Sequence, residues 1–339
     1  MPKNGAGNKP GALTHWWNHL WSSPLPTLGC DISQGGVSIA RWSRTAHRLE
    51  TVAWKPIAPG AVEASPLREN IQNPQEVRRA FAEALSYLGV SPLPDSSRRF
   101  TDAILVIPDQ AARLFVLNFD TFPQKLSQGL PLVKWRLKKS VPFDIESAAI
   151  SYFLQRSGTE LQVVAAASPQ SIIRQYEEVA ESFGLRPRRV ILSTLASLAL
   201  AGEPEENLPL ESQKGVLVAK YNPPWFTTAI LQGHVLRLFR TVGLSPDGDG
   251  LLSSVDVLAA VYPSIAYFQD TFHAPLARGY LSGLGENSGS IAEALEQELN
   301  LGTSPLVPDL NGVASGTDLH RAERHFAALL GLVQEQQSE

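Results

Sequence analysis

The sequence predicts an α/β protein made of two related halves, and three observations predict it. Short strand-like runs cluster after residue 27 and again after residue 215, each cluster is followed by a periodic helical stretch, and "DAILVIPD" (102–109) is continuously apolar. An uninterrupted apolar run of that length forms a strand buried on both faces. Strands, then a helix, then a buried strand indicate sheets covered by helices, not a bundle. The chain has 339 residues, 43% apolar and 18% charged, enough for two packed domains.

Taken in order, residues 1–13 are rich in Gly, Pro, Lys and Asn and are expected to be mobile. In "THWWNHLW", Leu13, Trp16, Trp17, Leu20 and Trp21 share one face of a helix behind a Thr14 cap. Such a face suits a membrane surface, a partner groove, or docking on the protein's own body. Leu28–Ile32, Val37–Trp42 and Leu49–Trp54 form an antiparallel meander. Pro74 opens a helix with Val77, Phe81, Ala84, Leu85 and Leu88 on one face and Gly89 as its stop.

Residues 110–182 form a distinct block. The alternating "ARLFVLNFD" predicts a strand, "LPLVKWRLKKSVPFD" a helix ended by Pro142, "AAISYFLQ" and "LQVVAAAS" two strands, and "PQSIIRQYEEVAESFGL" a helix running to Gly184. "RRVILSTLASLALAG" runs from a strand into a helix. The second half repeats the theme with strands in "GVLVAKY", "FTTAILQ" and "HVLRLFRTVG", a helix over 255–267, a strand-turn-helix in "RGYLSGLGENSGSIAEALEQELN", and a last helix over 317–334. Two such halves imply a cleft between them.

With 29 basic and 33 acidic side chains the net charge is −4, which gives no general field for nucleic acid. The single cysteine, Cys30, excludes an intramolecular disulfide and a cysteine zinc cluster, as in a reducing cytoplasm. No apolar run approaches the ~20 residues needed to cross a bilayer, and no secretory signal is evident at the N-terminus.

This order of parts resembles the actin, sugar-kinase and heat-shock chaperone superfamily, whose halves clamp ATP between two phosphate turns. "FPQKLSQGLPLVKWRLKKSVPFDIESAAISYFLQ" and "LQVVAAASPQSIIRQYEEVAESFGLRPRRVILSTLASLALA" resemble the extra subdomain and following helix of PilM-type pilus-assembly proteins. The resemblance implies an actin-like (ribonuclease H-like) two-domain fold with an inserted subdomain of the FtsA/PilM type. Its implied boundaries are an N-terminal segment 1–26, a first domain 27–109 continued at 183–206, the insertion 110–182, a second domain 207–312, and a helix 313–335 returning to the first domain. It further implies a cytoplasmic adaptor at the inner membrane that binds the N-terminal peptide of a PilN-like membrane protein, beside other pilus components. The Trp-rich N-terminus would add a peripheral membrane contact.

The family's phosphate motifs are altered here. The first turn, commonly D-I-G-S-S-x-V-K, keeps Asp31, but Ser33 stands at the glycine and Ser38 at the lysine, with Gln34, Gly35 and Gly36 completing the turn. The second, V-D-I-G, has Ala219 at the aspartate and Tyr221 at the glycine, followed by Pro223 and Pro224, which lack N–H donors. The adenine loop keeps Ser282, Gly283 and Gly285 around Leu284. The remnant cleft is therefore Asp31, Ser33, Gln34, Gly35, Ser282, Gly283 and Gly285, with ATP and Mg bound weakly or not at all and hydrolysis weak or lost.

Lys134, Arg136, Lys138 and Lys139 crowd one short stretch, a pattern that fits a solvated helix face. The resemblance places the same helix beside the peptide groove, which nominates Trp135, Arg136, Pro142 and Phe143 as partner contacts. His15 and His19 have helical metal spacing without further ligands, and Asp247, Asp249 and Asp256 lack the calcium-loop pattern. No metal site or catalytic residue is expected. Two alternatives are a sugar-kinase-like phosphotransferase, for which Asp256 is the candidate base, and a cytoplasmic component of type II secretion resembling GspL.

Overall fold

The computed structural model describes residues 26–43, 48–89, 100–123, 125–157, 160–201, 208–246, 251–307 and 319–335. The N-terminal Trp-rich segment, His15, His19, Asp247 and Asp249 lie outside them.

The first half opens with β1 (Leu28–Ile32), β2 (Gly36–Ser43) and β3 (Arg48–Pro56), an antiparallel meander. Helix α1 (Pro74–Tyr87) follows, with Asn73 capping the Glu76 N–H and Pro74 in the first turn, where its missing N–H costs nothing. Strand β4 (Thr101–Ile107) returns parallel to β1, as its apolar run requires. Next come β5 (Arg113–Phe119), α2 (Leu126–Leu137), β6 (Ala148–Ser157), β7 (Glu160–Pro169) and α3 (Gln170–Glu181). Strand β8 (Leu185–Leu192) pairs parallel with β4 and leads into the short α4 (Ser193–Ser197).

The second half repeats this plan. Strands β9 (Gly215–Asn222), β10 (Trp225–Gln232) and β11 (Val235–Gly243) form its meander; α5 (Ser254–Phe272), β12 (Leu276–Ser282), α6 (Ser288–Leu299) and β13 (Thr303–Pro305) follow. Strand β12 lies parallel to β9, as β4 lies parallel to β1. The last helix, α7 (Leu319–Glu335), packs Phe326, Leu329 and Val333 into the core of the first half.

Two five-stranded sheets result, ordered β3-β2-β1-β4-β8 and β11-β10-β9-β12-β13, with a three-stranded sheet β5-β7-β6 standing apart. This third sheet carries α2 over its own small core of Val133, Leu137, Ile145, Val163 and Ala165. Among the described residues, three polar links, two of them buried, join the halves and the insertion. Gln155 exchanges two hydrogen bonds with the Leu236 backbone, Lys220 Nζ reaches Ser193, and the Thr227 hydroxyl donates to Asp109.

Two helices depart from the expected limits. Helix α2 begins at Leu126, four residues earlier than the pattern suggests, and ends at Leu137, well before Pro142. Val133 and Leu137 are its buried side chains, whereas residues 138–140 are exposed and have nothing apolar to bind them down, so the chain turns through Ser140 N–H to Leu137 O. Helix α5 runs five residues beyond 267 because Phe268 is fully buried and Phe272 packs against it at 5.4 Å.

Candidate functional site

The two halves face each other across a cavity of about 620 Å³ that contains most of the expected remnant. Asp31, Ser33 and Gly35 come from the β1–β2 turn, Lys220 to Pro223 from the β9–β10 turn, and Gly283 to Glu286 from the loop before α6. Gln34 and Ser282 are absent from the walls, although Ser282 is buried just before the loop.

The first turn is closed upon itself. Both the backbone N–H and the hydroxyl of Ser33 donate to Gly36 O, at 2.9 and 3.0 Å. Ser38, at the position of the family's lysine, donates to His325 O of α7 at 3.1 Å. The His325 ring stacks on Trp54 with centroids 4.4 Å apart, so the C-terminal helix leans over the mouth of this turn. The serine thus anchors a helix; it supplies no charge to the cleft.

At the second turn, strand alternation decides which side chains enter the site. Leu217, Ala219 and Tyr221 face the core of the second half, and Tyr221 donates its hydroxyl to Leu244 O. Lys220, on the opposite face, crosses to the first half and donates to the Ser193 hydroxyl at 2.8 Å and carbonyl at 3.2 Å. A tyrosine ring therefore does not fill the phosphate position; a buried lysine from the neighbouring register stands at the cleft. Motif matching centred on Ala219 misses Lys220, but the period-two pattern of "VLVAKY" marks it as the one charged residue on a buried strand.

Gly283 has φ +79°, and a Cβ there would overlap the Tyr221 carbonyl oxygen. Its freedom lets the adenine-loop remnant close directly onto β9. Leu284 is buried in the core of the second half, and Gly285 is exposed. Ser253 is the N-cap of α5: its hydroxyl accepts from the Asp256 N–H and donates to the Asp256 carboxylate, which gives Asp256 a structural task in the first turn. Among the described residues no group of three or more His, Cys, Asp or Glu side chains could hold a metal ion.

The charges form one set, with Asp31 and Lys220 buried and Asp109 half-buried. Asp109 accepts from the Thr194 N–H and hydroxyl and from the Thr227 hydroxyl, at 2.8, 2.5 and 2.9 Å. Asp31 is only 6% exposed, and its Oδ1 has no hydrogen-bond partner. Burial pushes its carboxyl up to about 7; Lys220 opposes that rise and Asp109 adds to it. Burial in turn lowers the Lys220 ammonium, against the pull of Asp109 and Asp31. The Cys30 thiol beside them is raised by burial, with Asp31 adding.

Magnesium chemistry needs an ionised, accessible carboxylate and free backbone donors toward phosphate. Here burial raises the Asp31 carboxyl to about 7, the Ser33 N–H is already given to Gly36 O, and the second turn has prolines at both turn positions, all of which count against a magnesium-triphosphate in this cleft.

The folded state holds a proton on Asp31 that the unfolded chain releases near pH 4. This contribution to stability is complete below about pH 4 and is lost as pH rises through about 7. Thermal melts are expected to show the melting temperature falling between pH 5 and pH 8, and Asp31→Asn is expected to flatten that fall. An unchanged slope in the variant would assign the pH dependence elsewhere.

A second, largely apolar cavity of about 390 Å³ lies between β8, an edge strand of the first sheet, and the insertion. Ile150, Phe153, Val164, Ile173, Val190 and Ile191 are among its walls. None of Trp135, Arg136, Pro142 and Phe143 lines it. Trp135 is 69% exposed, Phe143 packs on the core of the insertion, and Pro142 lines a third cavity beside β11.

No family model matches the chain, and no curated protein matches it in sequence. Solved structures do match. A PilM–PilN type IV pilus biogenesis complex superposes with a TM-score of 0.70 over 93% of this chain and 99% of that one, at 19% identity. A protein of Bacteroides thetaiotaomicron with an actin-like ATPase fold and unknown function gives 0.50 over 83% and 91%, at 10% identity. The cytoplasmic domain of EpsL, an inner-membrane component of the Vibrio cholerae type II secretion system, gives 0.48 over 92% and 94%, at 10% identity. Paired meanders, parallel return strands and the first two superpositions establish that the chain has the actin-like ATPase fold.

Proposed function

We propose that this protein is an actin-like adaptor of a type IV pilus assembly machine, holding the cytoplasmic N-terminal peptide of a PilN-like inner-membrane protein, with nucleotide hydrolysis lost. The observation that carries the proposal is the apolar cavity between β8 and β6. Each of these is an edge strand of its sheet, so each has backbone groups not used in its own ladder. An extended peptide gains main-chain hydrogen bonds from such an edge, and pockets for alternate side chains supply specificity. The superposition with the PilM–PilN complex supports the same reading. No described helix is long and apolar enough to cross a membrane; in this reading the adaptor, in the cytoplasm, meets the inner membrane through its partner.

The cleft supports the loss of hydrolysis, because Lys220 and a carboxyl raised to about 7 stand where the chemistry wants a magnesium-side pair. The test is titration calorimetry with a synthetic N-terminal peptide of the PilN-like protein, alongside a phosphate-release assay with Mg-ATP. Micromolar binding is expected for the parent, with no turnover. Placing a charge in the apolar wall by Val190→Asp is expected to weaken binding at least about tenfold, since an unpaired buried charge costs well over 1.4 kcal/mol. Equal affinity in the variant, or measurable ATP turnover, would refute the corresponding half of the proposal.

A further inference from the structure

The third cavity, about 620 Å³, lies where the insertion meets the second half. Arg113 of β5, Lys139 and Ser140 of the turn after α2, and Phe239, Arg240 and Thr241 of β11 are among its walls. Its only acidic wall residue, Asp109, already accepts three hydrogen bonds from Thr194 and Thr227. Among the described residues, Arg113 and Lys139 have neither an ion pair nor a side-chain hydrogen bond, and Arg240 donates a single bond, to Ala260 O. Arg240 turns to α5 on the face of β11 it shares with Leu238 and Val242, so Arg113 and Lys139 are the two cations at this concavity; with no carboxylate bonded to either among the described residues, they create a positive potential that low-dielectric walls focus.

The chemistry of the walls selects the kind of anion. The Arg113 guanidinium presents a planar donor fork that matches phosphate oxygens, and Ser140 adds a hydroxyl. Phe115, Val141 and Phe239 supply apolar surface for the body of a ligand. The volume lies in the range of small-molecule sites. We infer that this cavity is a binding site for a small phosphate-bearing molecule with a flat apolar body, separate from both the interlobe cleft and the apolar cavity beside β8.

The test uses the full chain, with phenyl phosphate and inorganic phosphate as probes in titration calorimetry at low salt. Phenyl phosphate is expected to bind in the millimolar range or better, and more tightly than inorganic phosphate because its ring reaches the apolar wall. Arg113→Gln and Lys139→Gln are each expected to weaken it about tenfold, the usual effect of losing one charge-assisted bond to phosphate. Lys139 is exposed and, among the described residues, makes no ion pair or side-chain hydrogen bond, so its variant stays informative even if Arg113→Gln disturbs the fold. Asp31→Asn, in the interlobe cleft, is expected to leave phenyl phosphate binding unchanged. The inference is overturned if phenyl phosphate fails to bind at 10-fold above about 1 mM, if inorganic phosphate binds as well as phenyl phosphate, or if the Lys139 variant binds as the parent does.

Discussion

Replacing Gly331 by alanine is expected to destabilise the protein by about 3 kcal/mol or more, although an exposed helical glycine normally gains close to 1 kcal/mol from the same change. The sign reverses because of what Gly331 touches. It sits on α7 where that helix crosses α4, and a Cβ would overlap the Ala196 carbonyl oxygen and press on the Ser197 Cα. Both are backbone atoms and have no rotamer by which to move aside. To relieve the overlap, α7 must lift from the first half, which exposes Phe326, Leu329 and Leu332. A urea titration of Gly331→Ala checks this. A midpoint equal to the parent's would mean that α7 does not pack as described.

Lys220→Met is expected to be nearly as damaging at pH 8 and much milder at pH 5. At pH 8, removing the ammonium leaves the buried Asp31, and the half-buried Asp109 beside it, without their countercharge, a loss of about 3 kcal/mol on the scale of broken buried pairs. At pH 5, Asp31 is protonated in the folded state, because its carboxyl already titrates at about 7 with the lysine present. The penalty for the missing cation therefore shrinks as pH falls. Paired urea titrations at the two pH values check the difference, and adding Asp31→Asn is expected to recover much of the loss at pH 8. Equal destabilisation at both pH values would show that Lys220 acts through packing alone.

Most of the architecture was legible because strands and helices carry periodic signals. "DAILVIPD" identified a central strand, and the helix at Pro74 declared both of its ends. Helix α2 was harder, since Pro131 looks like a first-turn residue but lies in its sixth position, and the charged run after Leu137 continues a helical spacing without any apolar surface to hold it. The cleft was legible as a location and less so in content. Asp31 and Gly283 are found by motif, whereas Lys220 depends on which face of β9 its side chain leaves from, and Ser193 and Asp109 reach it through tertiary placement alone. The apolar cavity beside β8 has no sequence motif of its own; it arises where two sheet edges approach.

The links from Gln155, Lys220 and Asp109 have a mechanical meaning. An actin-like clamp that works by hinging must let its jaws part, yet here each attempt to open would strip hydrogen bonds from groups that water cannot quickly reach. Such a molecule behaves as a welded bracket and not as a hinge, with these bonds as its rivet line.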